Sequence, residues 1–469
     1  MVQIVVVGSG VAALMATRTL LTSEKNGLHV TWCTSRSKLA TQMGPKNQTP
    51  PKPGQPYFDY GCQYVTPSSD IAKDELTRWE RLGYAQAIPD GQVGVMNSGT
   101  YTPLAGDLSF VANGGFGPLM TSLTKQTVNE YKDRLTHVSG FPSANNRVVG
   151  FQKDASKNEW FLNTKGGDRL GPFDIVIGAF GQHVLTDPFL ITGGAHSEAM
   201  LKCVRRVESN QIIVIQMVLE KGSVNNDLVA AHVQGDSVLS FISNNSRKPQ
   251  QDGKWGTPGK EHWTLLSTAE FAEREFNTNG KGYRRAAEEK MLASFAKEFK
   301  LGTLQEFREK YQPSINRINH WEDGLPIKKP PNSQGCLFDV DENLGWCGDF
   351  CVAPSIDGAA RSGVQMANVI LRRDKISSDE KDWLLPSDIA WVPMDQRKDK
   401  SITVDIGEFG HNEQDGLASI STHTDLVPSA IDGYQKKKAH LGASGGRNNK
   451  GQGRNNRKKN SGQSKNSRQ

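Results

Sequence analysis

An almost unbroken apolar run, Val2-Gln3-Ile4-Val5-Val6-Val7, leads directly into Gly8-Ser9-Gly10-Val11-Ala12-Ala13. No other feature limits the fold as strongly. A β-branched run of this kind marks a strand buried on both faces, as in a parallel sheet. Residues 11–21 are helix-forming and apolar, Asn26-Gly27 stops that helix, and residues 29–33 read as a second strand. The chain is therefore expected to open with a β-turn-α-β unit. In that context GxGxxA is a dinucleotide fingerprint. Gly8 permits the tight turn, Gly10 lets the backbone approach a pyrophosphate, and Ala13 lets helix and strand pack closely. The helix N-terminus adds free N–H groups and a positive dipole end. The plain alternative is a tight βα turn with no ligand.

The second strand of such a unit usually ends in an acid that holds the adenosine ribose, about twenty residues past the last small residue. Position 34 fits the spacing and holds Thr34, whose hydroxyl is a weaker partner than a carboxylate. Arg36 and Lys38 suit a 2′-phosphate, so an NADP reading stays open; as solvated loop charges they need no ligand.

Further along, residues 41–56 read as an exposed loop, 75–83 as a short helix and 114–130 as a Gly-rich turn feeding a helix. Residues 147–153 and 159–164 suggest a hairpin, and 174–179 another buried strand. Strand-like runs occupy 211–219 and 262–267, and amphipathic or glycine-led helices are expected over 283–300 and 358–371. The 469 residues suffice for about two or three domains. Residues 436–469 hold eleven Lys or Arg and no acid, so the formal +6 of the chain becomes −5 once they are set aside. Gly442 to Gln469 is Gly, Asn, Ser, Gln, Lys and Arg, which cannot bury enough apolar surface to offset its ordering entropy. Six cysteines form no CxxC pair or disulfide framework, and no metal site is expected. No leader segment and no apolar run of about 20 residues stand out, so a reduced compartment, cytosol or nucleus, is expected and no membrane.

Several later stretches resemble the renalase branch of the FAD-dependent flavin amine oxidase superfamily. Phe58-Asp59-Tyr60-Gly61-Cys62-Gln63-Tyr64 is similar to its F-D-x-G-A-Q-Y segment, and residues 110–123 to its Gly-containing turn before a helix. Residues 173–182, ending Ala179-Phe180-Gly181-Gln182, resemble its apolar strand. Ser243-Asn244-Asn245-Ser246-Arg247-Lys248-Pro249, followed by residues 263–270, resembles its N-S-x-K-P-G and W-x-L-H-x-T segments. His320-Trp321 matches loosely. Trp346-Cys347-Gly348-Asp349 and Asp357-Gly358-Ala359-Ala360-Arg361-Ser362-Gly363 match the G-D and D-G-x-x-x-S-G segments. The resemblance spans about residues 1–373 in order.

It implies an α/β fold: a glutathione-reductase-type FAD/NAD(P)-binding Rossmann domain with an inserted α+β substrate domain, then a disordered C-terminal tail. The expected division is 1–66, 105–200 and 335–373 for the FAD domain, and 67–104 and 201–334 for the substrate domain. Residues 374–435 form an irregular extension, with Trp383, Leu384, Leu385 and Trp391 able to dock, and 436–469 the tail. The resemblance implies non-covalent FAD held by Gly8, Gly10, Ala13, Thr34, Gln42, Asp59, Gly61, Gln63, Val148, Gly348, Asp349, Gly358 and Ala359. Gln182, His183, His320 and Trp321 are pocket candidates, each equally explained as polar lining or packing; no acid or base is named. It implies an oxidase that moves a hydride from a small reduced donor, a dihydronicotinamide isomer or an amine, to flavin and then to oxygen. The chain departs from the family at Thr34 and at Ala40-Thr41-Gln42-Met43, where the family's G-G-R-M loop loses two glycines and its arginine. These losses support a second reading, a flavoprotein-like scaffold without catalysis. In either reading the basic tail can contact nucleic acid or an acidic partner.

Overall fold

In the computed structural model the described residues are 1–23, 27–34, 54, 57–59, 61–104, 108–140, 144–180, 198–249, 256–322, 324–330, 335–385 and 392–393. They belong to a unit spanning Met1–Val427, and a second unit, Pro428–Gln469, lies outside them. Arg36, Lys38, Gln42, Gln182, His183, Trp391 and the basic tail therefore also fall outside the described residues.

Strand β1 (Val2–Val7) runs into helix α1 (Val11–Thr22) and β2 (Leu28–Thr34). Helix α2 (Asp70–Arg81), short strands β3 (Ala85–Ala87), β4 (Val93–Asn97), β5 (Thr100–Pro103) and β6 (Phe110–Ala112), and helix α3 (Phe116–Glu130) follow. Next come β7 (Leu135–Ser139), β8 (Val148–Asp154), β9 (Glu159–Thr164), β10 (Arg169–Phe173) and β11 (Ile175–Gly178). The second half holds α4 (Glu198–Val204), β12 (Ile212–Glu220), β13 (Ala230–Gln234), β14 (Leu239–Asn244) and β15 (Lys260–Ser267). Helices α5 (Ala269–Asn279), α6 (Tyr283–Glu298) and α7 (Leu304–Tyr311) lead to β16 (Ser314–Trp321), β17 (Lys328–Lys329), β18 (Leu337–Asp339) and β19 (Leu344–Trp346). Helices α8 (Ile356–Leu371) and α9 (Ser378–Leu384) and strand β20 (Val392–Pro393) close the described chain.

β1 lies inside a six-stranded sheet of order β18-β19-β11-β1-β2-β7, parallel except for the β18–β19 pair. Strand alternation explains why β1 is apolar at nearly every position. Ile4 and Val6 enter a core with α1, α2, α3 and α8, whereas Val5 and Val7 enter another core against the antiparallel meander β8–β9–β10. Helix α8 lies on α1: a Cβ on Gly363 would fall 2.2 Å from the Ala12 carbonyl oxygen, so the helices meet backbone to backbone.

The second sheet has seven strands, ordered β16-β12-β15-β14-β13-β4-β5, antiparallel apart from β13–β4. Its alternation also makes two cores. Ile213, Ile215, Met217, Trp263 and Leu265 pack under α5, α6 and α7, while Ile212, Val214, Phe241 and Leu266 meet Tyr64, Ile88 and Val111.

The helix expected at 75–83 is Asp70–Arg81 instead, because the Ser69 hydroxyl accepts from the Ala72 amide and caps an earlier start. Helix α8 starts two residues before the expected 358 for the same reason, with Ser355 accepting from the Gly358 amide. Leu384 docks as its apolar character suggested: it is fully buried in the α1–α8 core, on a helix opened by a Ser377–Glu380 capping box.

Candidate functional site

The glycine turn follows from its surroundings. A Cβ on Gly8 would sit 2.1 Å from the Ala179 carbonyl oxygen and 3.2 Å from the Ala13 Cβ, so only glycine fits. A Cβ on Gly10 would meet nothing within 4 Å. Gly10 is also the N-cap of α1, and no side chain caps that helix end. Among the described residues no side chain therefore competes for the α1 N-terminus, whose dipole end suits a pyrophosphate. Thr34 stands at the end of β2, with its Oγ1 2.9 Å from His137 Nε2. Val148 begins β8 and is buried.

Asp349 follows β19. Its Oδ1 accepts from the Phe350 amide at 3.0 Å, and burial raises its carboxyl to about 6. The preceding Gly348 is fixed by its own amide, which donates to Ser362 Oγ at 2.9 Å. A carboxyl held this way, with one oxygen engaged, is a ready acceptor for ligand hydroxyls. Gly358 is set by α8 itself: a Cβ there would fall 2.1 Å from the Ala353 carbonyl oxygen. Its amide goes to Ser355, and that of neighbouring Ala359 to the Ser355 carbonyl. Asp357 is buried and accepts from Ser68 at 2.6 Å and from Ser69, tying α8 to the start of α2.

Asp59, Gly61 and Gln63 form a second cluster, and the structure adds residues that sequence reasoning left without a role. Lys248 Nζ donates to Asp59 Oδ2 at 2.7 Å and to Gln63 Oε1 at 3.1 Å, with both side chains of the ion pair only 1% exposed. Tyr57 donates to the same Oδ2 at 3.0 Å, and the Phe116 amide at the start of α3 donates to Oδ1 at 3.1 Å. Gln63 Nε2 donates to the carbonyls of Asp59 and Gly61 at 2.9 and 3.0 Å. From the second sheet, Asn245 Oδ1 accepts from the Asp59 amide and Thr264 Oγ1 donates to the Asp59 carbonyl. Burial lowers the Lys248 pKa and the Asp59 charge opposes that shift. This seam joins the two sheets, and its polar atoms already have protein partners. No local signal reveals it, because Lys248 and Asp59 lie 189 residues apart.

His320 and Trp321 are adjacent and so point to opposite faces of β16. The His320 ring stacks on Phe276 at 4.2 Å between centroids, lies 5.3 Å from Tyr283, and its Nε2 meets Gln211 at 2.9 Å. It belongs under α5 and α6, away from the six-stranded sheet. Trp321 packs on the other face, with Tyr64 and Val111. A small, shallow hollow borders that face, between Thr66, Ile88, Asp90, Val93 and Ser109. On the same side His262, 1% exposed, has its Nε2 without a partner, its Nδ1 3.0 Å from Ser246, and a pKa lowered to about 4 by burial. Cys336, Cys347 and Cys351 are free and buried, and burial raises each thiol, so they are unreactive packing groups. Among the described residues no helix is long and apolar enough to cross a membrane.

No family model matches the chain. Among solved structures it is similar to an oxidoreductase from Methanosarcina mazei, with a TM-score of 0.52 and 11% identity, over 78% of this chain and 100% of that one. It is also similar to a reduced UDP-galactopyranose mutase, with a TM-score of 0.53 and 11% identity, over 83% of this chain and 97% of that one. At these identities the chains share a fold: a mixed α/β architecture around a parallel sheet.

Proposed function

We propose that this chain is an FAD-dependent oxidoreductase. One observation carries the reading: a glycine turn in which Gly8 is sealed by neighbouring backbone while Gly10, the N-cap of α1, has neither a capping side chain nor a described atom where its Cβ would stand. The shared fold with an oxidoreductase supports it. The residues present fit FAD. Gly8, Gly10, Ala13 and the first amides of α1 hold the pyrophosphate, and Asp349 accepts hydroxyls of the ribityl chain. Asp59, Gln63 and Lys248 hold the Gly61 loop rigid by hydrogen bonding to one another.

Bound FAD supplies the hydride-accepting centre, with a dihydronicotinamide isomer or an amine as donor and oxygen as acceptor, as the renalase-like motif set suggests. The protein orients the donor and excludes water. Trp321, half-buried at the edge of its apolar cluster, suits contact with a flat, uncharged ring. In this reading the chain acts in cytosol or nucleus, and its basic tail engages nucleic acid or an acidic partner.

A scaffold without catalysis is the second reading, favoured by Thr34 where a carboxylate is usual. The absorption spectrum of the purified protein, before and after adding FAD and removing the excess, separates the two. Retained flavin bands, bleached by a reduced donor, uphold the enzyme. A protein that stays colourless leaves the scaffold.

A further inference from the structure

The end of β2 is where a βαβ nucleotide site meets the adenosine ribose. Thr34 Oγ1 lies 2.9 Å from His137 Nε2 on the neighbouring strand β7. Trp32 links this pair to the glycine turn: its Nε1 donates to the Gly8 carbonyl at 2.9 Å, and its ring packs against His137 at 5.9 Å between centroids. The backbone at the strand end is already closed, because the Gly140 amide donates to the Thr34 carbonyl at 2.6 Å. Among the described groups at this strand end, the Thr34 and His137 side chains are the ones placed to meet a ligand. Neither β2, Leu28–Thr34, nor β7, Leu135–Ser139, contains an acid.

We propose that the Thr34–His137 pair takes the place of the ribose carboxylate, and that this edge accepts a 2′-phosphorylated adenosine ribose as readily as a free one. The inference rests on reading the glycine turn as a dinucleotide site. A carboxylate only accepts hydrogen bonds and repels a phosphate. A hydroxyl and a neutral imidazole each donate and accept, which matches a ribose hydroxyl, and neither repels a phosphate. Burial lowers the His137 pKa, which keeps the ring neutral near pH 7. His137 is a positioning and binding residue, since it acts on the ribose directly and through Thr34.

The test is isothermal titration of the full chain, cleared of flavin, with ADP-ribose and with 2′-phospho-ADP-ribose, beside FAD uptake. The two ADP-ribose probes should bind within about threefold of each other. Thr34→Val and His137→Phe should each weaken ADP-ribose about fivefold, the loss of one neutral hydrogen bond. Thr34→Ser should retain wild-type binding, and the double variant should lose less than the product of the single losses. Thr34→Glu should tighten ADP-ribose and reject the 2′-phosphate by more than tenfold. Unchanged circular dichroism certifies that each variant is folded. Wild-type affinity in both Thr34→Val and His137→Phe, or rejection of the 2′-phosphate by the unaltered chain, overturns the inference while FAD uptake still stands. Failure of the unaltered chain to bind FAD or either probe overturns the dinucleotide reading and this inference with it.

Discussion

The glycine turn before α1 and the Asp59–Lys248 seam are built on opposite principles. At the seam the buried charges are matched to one another: Lys248, Tyr57 and the Phe116 amide converge on one carboxylate. At the turn, the helix N-cap is a glycine with no capping side chain, and a missing Cβ leaves space among the described residues. The first arrangement is what a protein does to hold itself together. The second has reason to persist only if something outside the chain completes it. The difference separates structural from functional glycines and charges without reference to any relative.

Removing one side of the seam should have the largest effect. Lys248→Ala leaves Asp59 buried without its cation and should lower stability by about 3–5 kcal/mol in chemical denaturation. Asp59→Asn in the Lys248→Met background should recover part of that loss, which a purely steric role for Lys248 does not allow. Next come the two glycines. Gly8→Ala drives a Cβ into the Ala179 carbonyl and should cost about 1–3 kcal/mol as well as FAD binding. Gly10→Ala should leave the melting temperature within about a degree, yet weaken FAD by more than about tenfold, since its Cβ enters only the ligand's space. Equal loss of stability in both would erase the contrast.

Asp349 sharpens the comparison through pH. Its carboxyl is raised from 3.8 to about 6 in the folded chain by burial. The stability it contributes is therefore full below about 4 and lost as pH rises through about 6. A ligand that bonds the carboxylate must displace this proton, so FAD should bind about tenfold more tightly at pH 7 than at pH 5. Asp349→Asn should flatten that profile. The smallest effect is expected at His320. His320→Phe keeps the stack on Phe276 and should change neither FAD affinity nor stability by more than about 1 kcal/mol.

The local rules read well in the sequence. β1, the glycine turn and α1 follow from periodicity and a motif, and α6 and α8 from their apolar spacing. The start of α2 was hidden because Ser69 caps a polar first turn with little apolar pattern. What sits across the seam was hidden for a different reason. Lys248 finds Asp59, and Thr34 finds His137, only after the sheets have assembled, and neither partner has a spacing that announces the other. His320 was grouped with Trp321 by adjacency, yet alternation along β16 sends the two to different cores.

The contact between Gly363 and Ala12 has a consequence for biosynthesis. The apolar face of α1 is covered by α8, more than three hundred residues further along the chain. Until that helix arrives, the nascent chain carries an exposed apolar helix beside a sheet that still lacks β19. A contact between elements this far apart along the chain raises contact order, so folding is expected to be slow and to leave apolar surface open to aggregation until it forms.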